Sequence, residues 1–135
     1  MSGVTRYLAR LFGLGLILLS LDILIDQPGM SATVDALTGD RPAMLTIALV
    51  TVIAGLATVL AHNVWSGGAA PVLVTLCGWA MVGKGALLLF VPLSLVSRFP
   101  IAPAWLYMSG TLGLLWGAYL AYAGFRAPAT VAPTR

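Results

Sequence analysis

The chain has 135 residues, 60% of them hydrophobic and 8% charged, with a mean hydropathy of +1.01; in soluble domains about a quarter of residues are charged. This excludes an ordinary soluble fold, and four spans of about 20 residues would take up most of the length, leaving no separate soluble catalytic domain. The net charge of +3 comes from seven basic and four acidic residues placed singly, without the Lys/Arg cluster that tracks nucleic acid.

The first apolar run, about residues 7–26, follows Arg6 and contains Arg10 and Asp22. A cleaved signal peptide also starts positively charged, but here the run continues past Asp22 and no small-x-small site follows at once, so a retained first span is expected. Gln27 to Pro42 is rich in Gly, Pro, Ser, Thr and Asp and reads as the longest loop, with Ser31 as N-cap of a short helix from Ala32 to Leu37 ended by Gly39. A second span covers about 43–62 and ends at His62-Asn63-Val64-Trp65, after which Ser66-Gly67-Gly68 oppose continuation of the helix. Pro71 suits the first turn of the third span, about 71–91, so these two spans should lie antiparallel across a short turn. Pro92 ends the third span, Leu93 to Pro103 reads as a loop, the fourth span covers about 104–125, and residues 127–135 are expected to be disordered.

Continuous apolar runs favour helices over barrel strands, which would alternate in polarity about every ten residues. The expected fold is all-α: a single-domain, four-helix transmembrane bundle with antiparallel, up-down topology. Arg6, Arg10, Arg126 and Arg135 flank one side, against Arg41 and Arg98 on the other. That asymmetry places both termini in the cytoplasm of a bacterial inner membrane.

Few residues carry chemistry. Ser109, Gly113, Gly117 and Ala121 recur every fourth position on the fourth span, a small-residue stripe that lets another helix, of this chain or of a second copy, approach closely. Lys84 lies within the third span, where a charge costs about 2.5–3.5 kcal/mol near the bilayer centre, so it should snorkel, pair or work. Asp22 is its best anionic partner and Asp26 the second, which would tie the first span to the third. His62, Asn63 and Trp65 gather at the cytoplasmic end of the second span: His62 and Trp65 as headgroup-level anchors, Asn63 on free helix carbonyls, with Thr75 and Trp79 packing nearby. Cys77, the single cysteine, reads as a small apolar residue, without disulfide or metal partner.

These corners resemble a group of small four-span bacterial integral membrane proteins that share His-Asn-x-Trp, Thr-x-x-Gly-Trp, Lys-Gly and terminal Tyr-x-Gly-Phe segments. Here the segments are His62-Asn63-Val64-Trp65, Thr75-Leu76-Cys77-Gly78-Trp79, Lys84-Gly85 and Tyr122-Ala123-Gly124-Phe125. The resemblance implies architecture and membership and carries no mechanism. A looser similarity to four-span DoxX-like proteins rests on size and span count.

Without Glu, and with one His and one Cys on different spans, no triad or metal set is evident, so an enzyme is not expected and neither cofactor nor metal is assigned. The leading expectation is a non-enzymatic inner-membrane protein acting through helix contacts, as an accessory or assembly subunit. Its partners are then the lipid bilayer and another membrane protein or a second copy, with no nucleic acid. The alternative is a small oligomeric transporter or channel in which Lys84 lines an anion or substrate path. Small multidrug transporters have this size, but no acid lies midway along the first span, and Asp22 is too near its end to substitute.

Overall fold

The computed structural model describes residues 1–90, Leu95 and residues 103–126. Among these the chain is all helical, without strands: α1 (Gly3–Ile25), α2 (Gln27–Gly39), α3 (Arg41–Ala61), α4 (Ala69–Phe90) and α5 (Pro103–Arg126). Three helices, α1, α3 and α4, are long and apolar enough to cross a membrane. At 1.5 Å per residue they measure about 32–35 Å against a hydrocarbon core of about 30 Å. α5 has 24 residues, but its Trp, Tyr and Gly residues keep its hydropathy below that of the other three, so the fourth expected span is seen as a long helix of mixed surface. The expected disordered tail over 127–135 and, apart from Leu95 and Pro103, the expected loop after Pro92 lie outside the described residues.

The segment expected to be mostly loop is α2, a full helix. It starts at Gln27, not near Ser31, because Asp26 caps it by accepting the Gly29 N–H at 3.1 Å, and Pro28 sits in the first turn where its missing N–H is harmless. The same device opens α3, where Asp40 accepts the Ala43 N–H and Pro42 occupies the first turn. Two Asp-x-Pro segments therefore start two successive helices. In α2, Met30, Val34 and Leu37 turn inward, half-buried, while Ala32, Thr33, Asp35 and Ala36 are exposed. That 4-and-3 spacing makes α2 amphipathic.

The long helices pair as α1 with α5 and α3 with α4. Contact order along each pair is antiparallel: Gly110 faces Ile23 and Leu24, Gly113 faces Ser20, Gly117 faces Gly13, and Gly124 faces Arg10 and Arg6. On the other pair, Gly78 faces Thr58 and Val59, and Gly85 faces Ala48 and Val52. Contact residues recur every seven positions on all four helices: Arg6, Gly13 and Ser20; Ala48, Gly55 and His62; Pro71, Gly78 and Gly85; Gly110, Gly117 and Gly124. Seven residues are two turns at the 3.5-residue period of left-handed pairs. A Cβ on Gly117 would lie 2.9 Å from the Gly13 carbonyl oxygen, and one on Gly55 2.7 Å from the Val82 nitrogen. The backbones therefore meet with no room for a side chain. In lipid, where burying leucine yields little transfer energy, such close van der Waals contact is a main source of helix association.

α4 joins the pairs. Leu8 and Ala9 of α1, Ala70 and Val74 of α4 and Leu120 of α5 form one buried cluster, which sets the starts of α1 and α4 side by side and the two helices parallel. α1 and α3 do not close against each other. A cavity of about 370 Å³ separates them, lined by Leu8, Leu11, Phe12, Ala54, Ala57, Thr58 and Met81. At the opposite end α2 crosses the molecule, touching α1, α3 and α5.

Candidate functional site

The corner at the end of α3 is built from hydrogen bonds that the sequence only partly announces. His62 is the C-cap of α3, and its backbone N–H donates to Thr58 O at 2.8 Å. The ring is 4% exposed, not a headgroup anchor. Its Nε2 lies 3.2 Å from the Pro71 carbonyl oxygen, which can only accept, so Nε2 donates there, and Nδ1 lies 3.5 Å from the Thr5 hydroxyl. Thr5 Oγ1 in turn sits 2.6 Å from Ser2 Oγ, so a chain of polar contacts runs from the start of α1 through α3 to the start of α4.

Thr75, fully buried, completes the corner. Its Oγ1 accepts the Val64 N–H at 3.0 Å, and its single proton serves Val64 O at 3.0 Å or Pro71 O at 3.2 Å. Asn63 turns outward instead of satisfying helix carbonyls: its Oδ1 accepts the Trp65 indole N–H at 2.8 Å. Trp79 is 46% exposed and leaves the corner to Thr75. The turn itself needs glycine at Gly67 and Gly68, whose φ values are +86° and +113°.

The stripe on α5 faces α1 of the same chain. Gly113 and Gly117 touch Ser20 and Gly13, and Ala121 meets Gly13 from the other side. Ser109 flanks this face, donating to its own helix at Leu106 O at 3.0 Å; the contact row passes through Gly110 instead. At the helix end Arg10 Nε donates to Gly124 O at 2.9 Å and its guanidinium lies 4.7 Å from the Phe125 ring centroid. A cation there complements the carbonyl end of α5.

The expected Lys84–Asp22 contact is not formed. Among the described residues Lys84 has no ion pair or hydrogen bond. The reason is helical phase: α1 commits its Gly13 and Ser20 face to α5, which leaves Asp22 exposed on another side, while Asp26 caps α2. Lys84 instead lines a cavity of about 250 Å³ beneath α2, with Val34, Leu37 and Thr38 of α2, Met44 and Ile47 of α3 and Leu88 of α4. No group of three His, Cys, Asp or Glu residues that could hold a metal occurs among the described residues. Sequence reading missed Ser2, Thr5, Arg10 and Gly55. The seven-residue recurrence and the Asp-x-Pro pair were the signals available for the packing and the caps.

In comparison with known proteins, no family model matches the chain, and neither does a curated protein or a solved structure.

Proposed function

We propose that the chain is a four-span, antiparallel helical bundle of the bacterial inner membrane, with both termini cytoplasmic, that works without catalysis as an accessory or assembly subunit. Membership in the group whose segments it resembles is part of this reading. The observation that carries it is an unfilled helix-contact face. Gly13 of α1, Gly78 and Gly85 of α4 and Gly110, Gly117 and Gly124 of α5 are taken up by helix contacts within the chain, whereas Ala54 and Ala57 of α3 front the open seam towards α1, and Ala57 and Ala61 are exposed. Residues at these spacings share one helix side, and small faces are how helices in lipid approach one another. A helix of another membrane protein, or α3 of a second copy, fits this seam.

Single cysteines at Ala57 and, as a control, at Leu49 on the exposed side of α3, both in a Cys77→Ser background, test the proposal in native membranes. Crosslinking at Ala57 and not at Leu49, either to itself or to a discrete partner, is the expected result. A monomer that crosslinks at neither position removes the reading. Anion flux through reconstituted vesicles that disappears in Lys84→Met would replace it with the oligomeric transporter.

A further inference from the structure

We infer that the space beneath α2 is a binding site for an anionic phospholipid, its phosphate on Lys84 and the upper part of one acyl chain under the inner face of α2. The inference shares only the membrane setting with the proposed function and does not depend on the seam between α1 and α3.

The cavity holds about 250 Å³ and, apart from Lys84 and Thr38, is lined by apolar side chains. The Thr38 hydroxyl is already used, donating to Asp35 O at 3.0 Å. Apolar spaces of about 150 Å³ already take a benzene-sized guest and stay dry, so a void of this kind favours hydrocarbon over water. Among the described residues Lys84 is the one charge on its lining, and none of the four Asp side chains pairs with it. The four acids are accounted for: Asp26 caps α2 and Asp40 caps α3, while Asp35 lies on the exposed side of α2 and Asp22 is exposed on α1. Lys84 therefore brings an uncompensated positive charge to the mouth of a greasy cleft.

Depth fits the same ligand. Lys84 lies six residues before the end of α4 at Phe90, about 9 Å by helical rise, and a lysine stem spans much of that distance. α2, amphipathic and packed across this end of the long helices, forms the roof at the level the ammonium reaches. A headgroup phosphate meets the cation there, and the chain below it meets Val34, Leu37, Met44, Ile47 and Leu88. A zwitterionic lipid brings its own cation to the same place and gains less.

The test is a lipid titration of the detergent-purified full chain by native mass spectrometry, with phosphatidylglycerol and phosphatidylcholine of matched chains. Wild type is expected to prefer phosphatidylglycerol by roughly fivefold, the worth of one lysine near a lipid surface. Lys84→Met should abolish the preference and Lys84→Arg keep it. Leu37→Trp, which fills the cavity and leaves the charge in place, should weaken binding of phosphatidylglycerol. Glycerol phosphate and inorganic phosphate at millimolar concentration should not compete. A preference that survives Lys84→Met, equal binding of the two lipids by wild type, indifference to Leu37→Trp, or displacement by free phosphate would each overturn the inference.

Discussion

Single residues decide how the ends of this molecule are tied. Thr75 is the clearest case, since its hydroxyl takes the Val64 N–H in a fully buried position. Thr75→Val keeps the shape and removes that acceptor, which should cost about 1–3 kcal/mol of stability in detergent unfolding. The carboxylates divide by role. Asp26→Ala removes the cap of α2 and should cost about 0.5–2 kcal/mol, visible as faster amide exchange confined to α2. Asp22→Asn touches nothing that Asp22 holds and should change stability by less than about 0.5 kcal/mol, whereas a tie to Lys84 would have made it the more damaging of the two. Asp22 and Lys84 were legible as the unusual charges of their helices. Their separation was not, because pairing depends on the rotation of α1 about its axis, which its contact with α5 sets.

At the scale of the helix, glycine position separates packing from lipid exposure. A Cβ at Gly55 or Gly117 would press on the backbone of the neighbouring helix, whereas one at Gly15 or Gly83 would meet nothing within 4 Å. Gly117→Ala and Gly55→Ala should each lose about 1–3 kcal/mol as the pair is forced apart. Gly15→Ala and Gly83→Ala should be neutral or gain up to about 1 kcal/mol from better helix propensity, and thermal unfolding of the four variants in one detergent makes the comparison. The four-residue stripe Ser109, Gly113, Gly117, Ala121 pointed to the right helix and largely the right face. The operative row shifts to Gly110, Gly117 and Gly124 because these contacts with α1 recur every seventh residue, a period that a four-residue spacing only approximates. The extent of α2 was hidden by its Gly, Pro and Thr content, although Asp26-Gln27-Pro28 and Asp40-Arg41-Pro42 each spelled out a helix start.

At the scale of the molecule, two glycine-zipped pairs are held together mainly at one end, by the buried cluster around Leu8, Val74 and Leu120 and by the polar chain from Ser2 to Pro71. Directly next to that cluster, between Leu8, Leu11 and Phe12 on one side and Ala54, Ala57 and Thr58 on the other, α1 and α3 part, and α2 bridges the far side. The open seam and the roofed cavity follow from this arrangement, so the partner crosslink at Ala57 and the lipid preference at Lys84 read out opposite ends of one architecture. Loosening the joined end should widen the seam: His62→Ala deletes both ring hydrogen bonds and should raise labelling of a cysteine at Ala54 by a membrane-soluble maleimide several-fold, with Gly15→Ala as the unchanged control.

The amino-acid sequence by itself determined the helical class, the membrane setting and the approximate limits of three spans, because apolar length and the turn residues Ser66-Gly67-Gly68 are local properties. It also contained the seven-residue rows and the Asp-x-Pro caps. Only the tertiary structure decided which helix each row meets, that His62 is buried between α1 and α4, and that Lys84 faces the underside of α2 instead of Asp22. Those outcomes depend on the relative rotation of helices far apart in the chain, and that rotation is fixed by backbone contact at glycines whose partners lie in some cases more than a hundred residues away.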